Sequence, residues 1–309
     1  MSKSLFIECN TGISGDMSVA ALLDLGADRD VLNKMLESLK TVVGGFDVKI
    51  TRVAKAGIGA ADFDVILDND NHDHDMDYLY GHDHNEHGHH HEHHHDNDEH
   101  HHHDHDEHHH HDHDEHHHHD HDEHHHHDHD GHHHEHRSYL DVKAIIDKTE
   151  MTEGARNLAK KIFGIVAEAE AAVHDRLIDE VHFHEVGAVD SIVDILSAAV
   201  CFDDIITKND IKKCIITRLV DGCGTVRCQH GVIPVPVPAV MKIAEQTGVR
   251  LAITERRGEF VTPTGAAFAA AVKTDDRLPE SFSVLRVGIG AGTRDYEIPG
   301  MVRAMIIEA

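Results

Sequence analysis

Ser4-Leu5-Phe6-Ile7-Glu8-Cys9-Asn10-Thr11-Gly12-Ile13-Ser14-Gly15-Asp16-Met17 is the stretch whose reading decides the fold class. Residues 4–9 alternate and are rich in strand formers, and their apolar run is too short, and too soon ended by Glu8, for a signal peptide. Residues 12–16 form a tight turn, after which apolar spacing becomes helical from 17 to 25. Strand, glycine turn and helix in that order put backbone N–H groups where they can cradle an anion. Gly12, Ser14 and Gly15 are the candidate cradle, and Asp16 can ligate a cation paired with the anion. No Gly-Lys-Ser/Thr follows, so this is not a P-loop. The same residues also suit a plain turn with Asp16 capping the helix.

Working outward, a second helix is expected over 31–43, with Asp28 or Asp30 available as N-cap. Residues 48–53 and 63–67 read as two strands around a glycine-bearing turn at 57–59. Regular structure resumes at Ser138, with Asp141 three positions on in a capping-box-like start. Helices are then expected over 152–174, which is Ala-rich, and over 189–206. Residues 215–219 read as a strand running into a Gly222-Cys223-Gly224 turn, and Pro234-Val235-Pro236-Val237-Pro238 opens a helix at Ala239. Residues 249–254, 283–287 and 302–307 read as strands, and 264–272 as a short helix behind Thr262-Pro263. The expected class is α/β or α+β, with mixed sheet layers and packed helices; strand order does not follow from the pattern.

Between these parts lies a low-complexity insert. The 309-residue chain has a formal net charge of −29, but residues 70–136 hold 22 of its 57 acidic groups and no Lys or Arg. The remainder carries 35 acidic against 28 basic residues, only mildly acidic. The insert also holds 35 of the 39 histidines. His100-His101-His102-His103-Asp104-His105-Asp106-Glu107 recurs from His108-His109-His110-His111, from His116-His117-His118-His119 and from His124-His125-His126-His127. With four apolar side chains it cannot offset the entropy of ordering, so disorder is expected. The expected organisation is an N-terminal α/β segment over 1–69, the insert over 70–136, and a main α/β segment over 137–309 that co-folds with the first.

Imidazole suits nickel, zinc and copper, and interleaved carboxylates lower the charge of the complex. Many equivalent donors on a mobile chain describe a store or delivery arm rather than a catalytic site. The choice among the three metals does not follow from the tract. An expression tag or a solvated spacer fits less well, because the tract is internal and laced with Asp and Glu.

Other classes are disfavoured. No basic stripe suggests nucleic acid, and no apolar run approaches the roughly 18 residues of a membrane helix. Five scattered cysteines fit reduced thiols and a cytoplasmic location. Outside the tract the densest polar cluster is His182-Phe183-His184-Glu185, followed by Asp190 and Asp194. His182 and His184 share a side in an extended segment, and Asp190 and Asp194 share a helix face. Together these can hold a divalent cation; they also read as a capped helix with ordinary surface carboxylates. Thr262-Pro263-Thr264-Gly265 allows close approach of a phosphate at a helix start, or simply a closely packed cap. Cys223, Cys228 and His230 are soft donors without a standard zinc spacing.

These motifs together resemble the LarC family of nickel insertion proteins. The resemblance rests on Phe6-Ile7-Glu8 with Gly12-Ile13-Ser14-Gly15-Asp16-Met17, and on His182 through Asp194. It continues through His230-Gly231, Pro234-Val235-Pro236 and Val261-Thr262-Pro263-Thr264-Gly265-Ala266-Ala267. The resemblance implies a nickel chelatase of the lyase class that places Ni(II) into pyridinium-3,5-bisthiocarboxylic acid mononucleotide, with nickel bonded to two sulfurs and one carbon. It implies CTP with Mg or Mn as cofactor, and a lactate racemase-type apoenzyme as recipient of the nickel-pincer product. Asp16, His182 and His184 become candidates for removing the ring proton. Complete members continue into a CTP-binding C-terminal domain, so that domain, or a separate chain carrying it, is an expected partner. A homo-oligomer is also expected. The competing class is a nickel store or metallochaperone without chemistry of its own.

Overall fold

The computed structural model describes residues 2–68, 137–181, 183, 188–228, 230–294, 296 and 298–309. The histidine-rich insert expected at 70–136, with its candidate ligands at 100–103, 108–111, 116–119 and 124–127, lies outside the described residues.

β1 (Lys3–Glu8) is followed by α1 (Gly15–Leu25), α2 (Arg29–Val42) and the hairpin β2 (Phe46–Lys55) and β3 (Ile58–Leu67). After the insert come α3 (Tyr139–Lys148), α4 (Glu153–His174), α5 (Val189–Lys208), β4 (Cys214–Ile215), β5 (Leu219–Cys223), β6 (Thr225–Cys228) and β7 (Gly231–Pro234). The chain closes with α6 (Pro238–Thr247), β8 (Leu251–Arg257), α7 (Pro263–Val272), β9 (Ser283–Ala291) and β10 (Met301–Glu308). Both sides of the insert build one six-stranded mixed sheet in the order β2-β3-β9-β10-β1-β4. β1 runs antiparallel to β10, from Lys3 opposite Glu308 to Glu8 opposite Arg303, and parallel to β4. The class is mixed α/β, as expected.

Alternation along β1 sorts its side chains. Leu5 and Ile7 join the main core beneath the helices, while Phe6 packs with Ile215, Met305 and Ile307 on the opposite face. α1 is the helix closest to the sheet, and all its apolar side chains from Met17 to Leu25 are buried. Glycines on β9 make that contact possible. A Cβ at Gly288 would overlap the backbone of Ala21 and Leu25, and one at Gly290 the backbone of Met17 and Ala21. Each fully buried Leu, Ile or Val in such a layer contributes about 1.5–3 kcal/mol. α5 packs on the far side of α1, and α4 against α5, α6 and α7.

Local signals at the helix starts hold. Asp28 caps α2 by accepting the Asp30 N–H, and Ser138 and Asp141 form a reciprocal capping box on α3. One expectation needs correction. The strand read at 215–219 is two strands in different sheets: Ile215 ends β4, and Leu219 opens β5, which pairs parallel with β8. Gly222 and Cys223 belong to β5, so the turn falls at Gly224, which has φ +95°. An apolar run cannot reveal that its two ends pair with different partners. No helix among the described residues is long and apolar enough to cross a membrane.

Candidate functional site

The loop leaving β1 is strapped on three sides. Cys9 bridges to Leu219, Ile13 pairs with Val261, and the Thr11 hydroxyl donates to the Met301 carbonyl at 2.7 Å. The two turns that sequence reading singled out separately, at Gly12–Gly15 and at Thr262–Gly265, are therefore joined. Ile13 N–H donates to the Phe260 carbonyl at 2.9 Å and Thr262 N–H to the Ile13 carbonyl at 3.0 Å. Gly265 sits at the seam, where a Cβ would overlap the Ile13 backbone. Its N–H is taken by the Thr262 hydroxyl at 3.2 Å, a cap on α7. Gly12, with φ +96°, turns the chain against Phe260. Gly12 and Gly265 thus weld the two turns together, while Ser14, Gly15, Asp16, Thr262 and Thr264 face a cavity of about 500 Å³.

Four helices begin at this cavity: α1 at Ser14–Asp16, α5 near Asp190, α6 at Pro238 and α7 at Thr262. Their N–H ends make the region favourable to negative charge. Some of that charge is built in. Asp194, one turn along α5 from Asp190, accepts the Asp16 N–H and so caps α1 from outside. A methyl at Gly15 would stand 2.6 Å from Asp194 Oδ2, so only glycine admits this carboxylate. Ser14 donates its hydroxyl to Asp16 Oδ1, and Asp190 accepts the Ser191 N–H at 2.7 Å.

Burial sets the electrostatics. It pushes the Asp16 carboxyl up, against the opposing effects of the Ser14 hydroxyl, the Met17 N–H and the Arg294 charge. Asp194 is pushed well above the usual carboxylate range by burial first, then by the charges of Asp16 and Asp190. Asp194 Oδ1 is buried and has no hydrogen-bond partner among the described residues. Buried acids whose charges oppose one another favour the protonated form. Arg294 lines the same cavity, bound to Glu259 at 2.6 Å, with the Tyr296 hydroxyl 3.3 Å away. Burial opposes the Arg294 charge, but Glu259 and Tyr296 outweigh it and push its pKa up, so it is a permanent cation in the wall.

The structure therefore brings together Asp16, Ser14, Gly15, Asp190, Asp194, Thr262 and Thr264 from the sequence candidates. His182, His184 and Glu185 lie outside the described residues. Among the described residues no three His, Cys, Asp or Glu are arranged to hold a metal ion. Sequence reading missed Asp64, Glu170, His174, Glu259, Arg294 and Tyr296, all of which line the cavity. Glu259 directly precedes the Phe260-Val261-Thr262 motif, which was a usable signal. The remaining five had none in local pattern.

Four helix starts and a fixed arginine around one cavity make it suited to an anionic small molecule. Comparison with known proteins shows the family. The family model described as nickel insertion protein matches residues 5–309, and the chain belongs to that family. It is 46% identical over 308 residues, all of this chain and 61% of the relative, to the pyridinium-3,5-bisthiocarboxylic acid mononucleotide nickel insertion protein of Alkaliphilus metalliredigens. The protein of the same name from Clostridium acetobutylicum is 40% identical over 307 residues, 99% of this chain and 64% of the relative. That from Clostridium kluyveri is 33% identical over 306 residues, 99% and 62%. The chain spans about six-tenths of the length of these relatives. No solved structure matches it.

Proposed function

We propose that this chain carries the metal-insertion chemistry of a CTP-dependent nickel chelatase, forming the nickel-pincer cofactor from Ni(II) and pyridinium-3,5-bisthiocarboxylic acid mononucleotide. The observation that carries this reading is the pair of buried acids Asp16 and Asp194 where helix starts meet, in one cavity of about 500 Å³ with Arg294.

In the insertion, nickel gains bonds to two sulfurs and to one ring carbon, while the C–H bond at that carbon breaks and its proton leaves. Asp16 is the proton acceptor in this reading. Its raised pKa makes it a stronger base than an exposed carboxylate. Arg294, held by Glu259, orients an anionic group of the nucleotide, and the N–H ends at Thr262 and Ser14 favour its phosphate. Val237, Phe260 and Ile233 give the cavity an apolar wall. In this reading a Mg or Mn ion that arrives with CTP and neutralises its phosphates would meet the carboxylates of Asp16, Asp190 and Asp194 in the cavity wall. The CTP-binding domain or chain is taken to be a partner, and a lactate racemase-type apoenzyme the recipient of the product.

The test is a reaction of the chain with nickel and the bisthiocarboxylate nucleotide, followed by mass spectrometry for the nickel adduct. CTP with magnesium, and a C-terminal CTP-binding part, are added in turn. Product under any of these conditions supports the reading. No product under all of them, with the nucleotide intact, sinks it.

A further inference from the structure

The cavity wall holds an aromatic ring that the insertion chemistry above does not use. Among the described residues Phe63, Phe260 and Tyr296 bring phenyl or phenol rings to the lining. Phe63 and Phe260 are buried, whereas Tyr296 is only half-buried, so its ring is the one a ligand can reach. It is held from three directions. Phe260 packs on it in a T-shaped pair, with centroids 4.8 Å apart and planes at 74°. The Tyr296 hydroxyl donates to the Glu259 carbonyl at 2.7 Å. A Cβ at Gly258, where φ is +128°, would stand 2.5 Å from Tyr296 Cε1, so glycine is what admits the ring. Phe260 is anchored in turn, since its N–H donates to Asp221 Oδ1 at 2.8 Å. A ring fixed in this way loses little freedom when a ligand stacks on it.

The charge around the cavity has the sign that a cationic ring needs. Six carboxylates and two arginines line it. Burial moves Asp16 and Asp194 toward the neutral form, and Arg294 is ion-paired with Glu259, which still leaves an excess of negative charge. We propose that Tyr296 is the docking face for the ring of a pyridinium nucleotide, and that it selects a cationic ring over a neutral ring with the same substituents. The proposal deepens the insertase reading and rests on it for the class of substrate. Tyr296 makes a cation–π contact with the flat ring, whose positive charge is fixed by the bond from its nitrogen to the ribose. The Tyr296 hydroxyl is 3.3 Å from Arg294, so a ring stacked on Tyr296 has the guanidinium within reach of its anionic substituents. One side chain thus reads the charge of the ring, and its neighbour reads the anions around it.

The experiment varies ring charge and leaves every other group in place. The full-length chain, without nickel, is titrated with the bisthiocarboxylate nucleotide and with its dihydropyridine form, which carries the same anionic groups on a neutral ring. The wild-type chain is expected to bind the pyridinium form about 2- to 30-fold more tightly, the span of a cation–π contact. Tyr296→Phe keeps that preference. Tyr296→Leu and Tyr296→Met lose it and bind both forms alike, and circular dichroism checks that each variant is folded. A purely packing role for Tyr296 would weaken both forms equally and leave their ratio unchanged. No preference in the wild-type chain, an unchanged ratio in a folded Leu or Met variant, or no binding of either form overturns the proposal. The readout is independent of insertion. Nickel adduct from a chain without ring preference removes this role of Tyr296 and leaves the insertase reading intact, and ring preference without adduct does the reverse.

Discussion

Asp194 does two jobs at the level of a single side chain: it caps α1 through the Asp16 N–H, and it shares a buried cavity with the Asp16 carboxyl. Both groups have folded-state pKa values raised by burial. A raised carboxyl favours the protonated form in the fold. Its contribution to stability is therefore fully present below the ordinary carboxylate range and is lost as pH rises through the raised value. A divalent cation in place of the proton reverses that loss. We therefore expect magnesium binding in weakly acidic solution to release protons, and Asp194→Asn to release fewer. Calorimetry in buffers of different ionisation enthalpy measures this, and equal release from both chains would refute it. Both chains carry the same acidic tract, whose carboxylates also bind magnesium, so the difference between the two is what reports on Asp194. Arg294→Ala should weaken binding of the substrate nucleotide by about 10- to 100-fold, the size of a lost charge-assisted hydrogen bond of about 1.5–3 kcal/mol. Arg294→Lys should recover part of it. Unchanged dissociation constants would remove Arg294 from substrate recognition.

Between elements, the decisive contact is the seam where the turn after β1 meets the turn before α7. Gly265→Ala puts a methyl into the Ile13 backbone. Overpacking of this kind costs about 1–3 kcal/mol, so a drop of several degrees in the thermal midpoint is expected. An unchanged midpoint would show that the turns can separate freely. Asp221 braces the same seam from β5. Its Oδ1 accepts from Gly222, Phe260 and Val261 at 2.8, 2.8 and 3.1 Å. Both turns were legible in the sequence because strand, glycine turn and helix are local patterns. Their union was not, since it depends on which strands pair. Pairing also split the run at 215–219 between two sheets, and it put Gly288 and Gly290 under α1. Arg294 and Tyr296 stayed hidden for the same reason: they follow β9 in sequence, but sit in the cavity only because β9 lies beside β10 and under α1.

At the scale of the whole chain, the proposed reading assigns two kinds of metal chemistry to different segments. The tract at 70–136 supplies many equivalent imidazoles, and the folded segments supply few groups in fixed positions. Imidazole ligands must be deprotonated, so nickel held by the tract should be released as pH falls below about 6.5. Metal analysis after dialysis across that range checks this; full stoichiometry well below it would contradict imidazole ligation. The central claim is that insertion takes place in the folded cavity while the tract only supplies metal. Its most direct test is nickel-adduct formation at saturating nickel, measured side by side for two proteins. One lacks residues 70–136, and the other is full length with Asp16→Asn and Asp194→Asn. The account predicts near wild-type adduct from the first and loss of at least about 100-fold from the second, the scale of a removed general base. Adduct retained by the second and lost from the first would contradict it.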